Sequence, residues 1–215
     1  MLYNPMAYTS LNDSDSNLSH HARQQLSSIG EIFWAHNMQG EFAAVYLHKH
    51  FDIKPEERLV EELQHSAITI TPQRNYGELA PYLWRSSSLG WLPVEFVACN
   101  EWSESAFKQA KTFEDARIFQ QDLYNFLLKA NLEDQIGVIS RHRESVFSRA
   151  KIVDPCLVET SFKFERRLEL KVEVGSELNR DELIETVWHF PVRGSDGSVA
   201  VACRNTCRPN GGNHH

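Results

Sequence analysis

The sequence has little of what usually announces a chemistry. Four cysteines, Cys99, Cys156, Cys203 and Cys207, are spread over 215 residues. They are too few and too unevenly spaced for a disulfide framework, which points to free thiols or metal ligands in a reducing compartment. No apolar run approaches the roughly 18 residues of a spanning helix, and the opening "MLYNPMAYTSLNDSDSN" has neither a basic nor an apolar targeting region. The expectation is a soluble, cytoplasmic protein with no membrane partner. Positive charge is also in deficit, with 22 Lys and Arg against 29 Asp and Glu and a formal charge of −7. The basic residues are scattered, so the clustered phosphate contacts of a nucleic-acid binder are not expected. There is no Gly-x-Ser-x-Gly elbow, no Walker loop and no Gly-x-Gly-x-x-Gly turn after a strand, so hydrolase, nucleotide and dinucleotide classes lack their usual signatures.

What is present is the composition of one globular core, 41% hydrophobic and 24% charged. Residues 1–17 are polar and carry no apolar period, so they are expected as a disordered arm before a single domain over 18–215. Ala22, Leu26, Ile29 and Phe33 recur at helical spacing and predict a helix ending before Gly40. In "TFEDARIFQQDLYNFLLKANL", Thr112 and Asp115 match a capping box ahead of an apolar stripe through Phe119, Leu123, Phe126, Leu127 and Ala130.

The strand pattern is equally legible. "EFAAVYLHKHFDI" places Phe42, Ala44, Tyr46, His48 and His50 on one face of a strand, and "RLVEELQHSAITITPQ" alternates as a second, so the two are expected to form a β-hairpin. "PVEFVACN" and "IGVISRH" read as further strands. "RRLELKVEV", "LIETVWHFPV" and "SVAVACRN" make the C-terminal third a β-meander, with Val199 and Val201 carrying Cys203 on an inward face. The fold class is therefore α+β, a mainly antiparallel sheet packed with at least two helices.

Two constellations suggest metal chemistry. The terminal "VACRNTCRPNGGNHH" offers Cys203, Cys207 and either His214 or His215, soft thiolates with an imidazole, as ligands of a structural zinc. The early "HKH" offers His48 and His50 on one strand face about 7 Å apart, either joining the tail site or completing a 2-His-1-carboxylate set for zinc or iron with Glu56 or Glu57. The stretch from Gly40 through His48, His50 and Glu56 partly resembles the first motif of the cupin family, a glycine, a His-x-His and a glutamate. That resemblance implies a metal-dependent enzyme. Seven residues separate Gly40 from His48 where the family has five, and five separate His50 from Glu56.

"YLHKHFDIKPEERLVE", "WLPVEF" and the Cys-x3-Cys tail together also resemble a group of filamentous-fungal proteins to which no activity is attached. Cys99, among apolar neighbours, is expected as a buried thiol. "EEL" at 61–63 and "SRHRES" at 140–145 are expected as solvated faces, with Arg141 and Arg143 flanking His142. Trp84, Trp91 and Trp102 either cover the sheet or, if exposed, make a groove for a protein partner.

Overall fold

In a computed structural model, the residues described are 4–13, 18–64, 67–99, 104–142, 157–164, 167–174, 184–196 and 198–207. The predicted first helix is α2, His20–Ala35, preceded by a short α1, Met6–Thr9. Ser19 caps α2, its hydroxyl accepting from the Ala22 backbone N–H and so satisfying one of the orphan donors of the first turn. The stripe Ala22, Leu26, Ile29 and Phe33 is buried as its period requires.

The second helical stretch is two helices, α3 (Glu104–Asp115) and α4 (Arg117–Ala130), broken at Ala116. The expected capping box at Thr112 and Asp115 is not formed. Thr112 lies inside α3 with its hydroxyl bonded back to the Lys108 carbonyl at 3.0 Å, and α4 starts at Ala116 with no side-chain cap. The chain leaves α4 through Asn131 in the left-handed region (φ 54°), and Leu132 N–H bonds back to the Leu127 carbonyl at 2.9 Å.

The strands are β1 (Asn12–Asp13), β2 (Phe42–Tyr46), β3 (His48–Lys49), β4 (Arg58–Gln64), β5 (Ala67–Gln73), β6 (Leu79–Ser87), β7 (Gly90–Ala98), β8 (Ile136–Ser140), β9 (Leu157–Phe164), β10 (Arg167–Val174), β11 (Ile184–His189) and β12 (Ala202–Cys207). β1 and β3 make a two-stranded parallel sheet of their own. The other ten close into a barrel in the order β10-β5-β4-β7-β6-β8-β2-β11-β12-β9, with β9 pairing back to β10. Among the described residues, closure leaves the ten barrel strands without an edge strand. β4–β7 and β12–β9 pair in parallel and every other junction is antiparallel, so the α+β, mainly antiparallel reading holds.

The expected hairpin between the His-x-His strand and the next is not formed. β2 lies between β8 and β11, and the second stretch, read from sequence as one strand, is itself the hairpin β4–β5. Period-two alternation identifies a strand but carries no information on its neighbour. The expected arm is also corrected: within 4–13, Ala7, Tyr8 and Leu11 are buried against the body of the protein. Three well-spaced apolar side chains anchor a segment too short and too polar to show a period.

Helices and sheet share an aromatic core. Phe113 of α3 stacks on Trp84 of β6 at 4.3 Å and meets Phe42 of β2 edge-on at 5.5 Å, while Phe33 of α2 meets Phe119 of α4 and Phe190, each at 5.0 Å. Gly137 of β8 permits the closest approach in the wall, since a Cβ there would stand 2.5 Å from the Trp84 backbone oxygen and 2.6 Å from Leu47 Cδ2.

Candidate functional site

Burying an ionisable side chain is costly unless it is paired, so buried carboxylates and imidazoles mark where a fold holds chemistry. Here they gather on one side of the β2-β8-β6-β7-β4 wall. His142, two residues past β8, bonds through Nε2 to Glu61 Oε1 of β4 at 2.9 Å, and both side chains are fully buried. Its Nδ1 lies 2.6 Å from the Ser140 hydroxyl. β6 and β7 stand between β4 and β8 in the wall. The contact therefore spans the two intervening strands, from β4 to just beyond the end of β8. Between them, Tyr82 of β6 sets its ring 5.1 Å from that of His142 and donates a short hydrogen bond to Glu95 of β7.

These residues correct the sequence reading. "EEL" and "SRHRES" were expected as solvated faces, yet Glu61 and His142 are core. Both stand in short polar clusters, which carry no local sign of burial.

Glu95 leads from the polar chain to a cavity of about 30 Å³, which His48, His50 and Tyr46 also line. A cavity of that size holds about two water-sized spheres, or an ion with a water, and is too small for an organic substrate. The His48 and His50 rings meet edge to face with centroids 4.6 Å apart, and Tyr46 stacks on His48 at 5.3 Å. His48 Nδ1 donates to the Tyr46 carbonyl at 2.8 Å, which puts the ring proton on Nδ1 and the lone pair on Nε2. The residue keeps some exposed surface while its imidazole is enclosed, and burial lowers its pKa, holding it neutral. The His50 backbone N–H donates to the Tyr8 hydroxyl at 3.0 Å. Burial, reinforced by the field of Glu95, pushes the Tyr8 phenol upward, so it stays protonated.

Other expected ligands lie elsewhere. Arg74 pairs with Glu56 at 2.7 Å and Glu57 at 3.6 Å, and Glu57 also accepts from the Lys54 backbone N–H, so both carboxylates brace the loop before β4. Cys203 and Cys207 sit on β12, opposite Trp188 and Ile184 of β11. Four residues of extended strand put their Cα atoms roughly 13 Å apart. β11 separates β12 from β2, so the tail strand is not a neighbour of the strand leading to His48 and His50. His214 and His215 lie outside the described residues, as do Cys156 and Trp102.

Val199 is buried, whereas Val201 is 38% exposed, because regular pairing starts only at Ala202. The inward alternation expected through Val201 therefore does not hold. Cys99, expected in the core, is exposed just past the end of β7. Trp84 and Trp91 are buried and offer no surface groove. Among the described residues, no three His, Cys, Asp or Glu side chains stand ready-grouped as a ligand set, and no helix is long and apolar enough to cross a membrane. No protein-family model, curated protein or solved structure matches this chain at a significant level.

Proposed function

We propose that the chain is a metal-binding barrel protein, with zinc held by His48, His50 and Glu95 and one coordination position left to water. The observation that carries this reading is that two touching imidazoles and a carboxylate line one cavity of ionic size. It keeps the 2-His-1-carboxylate chemistry expected from the sequence and moves the carboxylate from Glu56 or Glu57 to Glu95. Glu56 and Glu57 are engaged by Arg74, whereas Glu95 shares the cavity with the histidines.

The surroundings suit the role. The Tyr46 carbonyl fixes the His48 tautomer with Nε2 as the donor atom, and Tyr82 orients the Glu95 carboxylate, both being the kind of outer partner that metal ligands have. Binding requires the two rings and the carboxylate to turn toward one another, a change of rotamers within a cavity already present. Three protein ligands and a water make the open arrangement of catalytic zinc. A zinc chelated jointly by the tail cysteines is the less favoured reading, because an extended strand holds their backbones apart.

The test is calorimetric titration of zinc into chelator-treated protein, for the native chain and for the His48→Ala, Glu95→Gln and Cys203→Ser variants. One ion per chain should bind to the native protein and to Cys203→Ser, and the other two should lose at least tenfold in affinity. Absence of binding to the native chain, or loss confined to Cys203→Ser, would sink the proposal.

A further inference from the structure

The segment Pro5–Asp13 covers the cavity without belonging to the barrel. Tyr8 is fully buried there, its hydroxyl taking the His50 backbone N–H, and Leu11 lines the cavity wall. Besides the packing of α1 on β7, its attachments are side-chain contacts and one short ladder. Asn12 and Asp13 pair with His48 and Lys49 in the separate two-stranded sheet, and Arg85 reaches the Ala7 carbonyl at 3.0 Å and the Ser10 hydroxyl at 2.6 Å. Helix α1 has four residues, far below the length at which a helix holds itself. Lifting the segment breaks no pairing of the ten-stranded barrel.

From this we infer that residues 5–13 form a strap that opens independently of the barrel and controls entry to the cavity, with Tyr8 as its latch. The inference rests on the metal reading for what passes, though not for the opening itself. In the closed state Tyr8 and Leu11 fill the approach to His48 and His50. Withdrawal of the strap exposes both rings and releases the His50 backbone N–H. Segments held by a two-residue ladder and a few anchoring side chains open more often than the closed sheet they cover.

Two measurements test it. Hydrogen exchange on the metal-free full chain should show amides of residues 7–11 and of His50 exchanging at least tenfold faster than those of β2, β6 and β7. Exchange of the strap in step with those strands would overturn the inference, whatever the metal does. Stopped-flow zinc uptake should level off at high zinc in the native chain, where strap opening limits the rate, and should rise linearly and at least tenfold faster in Tyr8→Ala. Equal uptake rates in the two proteins would overturn the gating role. Fast strap exchange without zinc uptake by either protein supports the opening and overturns the metal reading on its own.

Discussion

Glu61 lies on β4 and His142 two residues past β8, strands that are not neighbours in the wall, yet they meet at 2.9 Å with no exposure of either side chain. Their contact ties β4 to the end of β8, and Ser140 extends it. Removing one partner takes a buried hydrogen bond from the other, which costs about 1–3 kcal/mol. His142→Ala is therefore expected to lower urea stability by about that amount. The paired replacement Glu61→Leu with His142→Phe should cost less than the sum of the single changes. Additive losses would show that the two side chains do not act as a unit.

The wall is tightest at Gly137. A Cβ there would meet the Trp84 backbone oxygen at 2.5 Å, and a backbone atom in a paired strand cannot swing aside as a side-chain end can. Gly137→Ala is expected to cost about 1–3 kcal/mol, the range for overpacking a filled interior. Gly40→Ala, with nothing within 4 Å, should be near neutral. Equal melting temperatures for the two variants would contradict this packing account.

The acid side of the stability profile should carry the signature of His48. Burial holds its pKa below the ordinary 6.5, so between those two values the unfolded chain binds a proton that the folded chain refuses. Its contribution is complete above 6.5, is lost as pH falls through 6.5 toward the depressed value, and is constant below that. Urea midpoints of chelator-treated protein at about pH 7.5, 6.5 and 5.5 should fall less steeply for His48→Asn than for the native chain. Parallel profiles would show that His48 is not the group responsible.

Zinc should also stabilise the fold by mass action. At about a hundredfold excess over the dissociation constant the gain is about 2.7 kcal/mol, which for a chain of this length corresponds to a rise of roughly 5–10 °C in melting temperature. The same rise is expected in Cys207→Ser and none in His50→Ala. A rise that depends on Cys207 would place the ion at the tail.

Much of the fold is legible in the sequence because its signals are local. Ala22, Leu26, Ile29 and Phe33 specify the buried face of α2, and the alternation of "RRLELKVEV" specifies β10. Pairing across distant segments leaves no local trace, as the separation of β2 from β4 and the β10–β5 junction show. The site divides in the same way. His48 and His50 attract notice by spacing alone, whereas Glu95, in "PVEFVACN", is an ordinary strand glutamate until β7 brings it to the same cavity. Glu61 and His142 were misread because a charged residue in a short polar cluster resembles a solvated face unless its distant partner is known.

The most direct test of the central claim is X-ray absorption at the zinc edge on protein loaded with one equivalent of the ion. The account requires a first shell of nitrogen and oxygen only, at about 2.0–2.1 Å, with imidazole scattering from two histidines. A sulfur shell at about 2.3 Å would assign the ion to cysteine thiolate and contradict it.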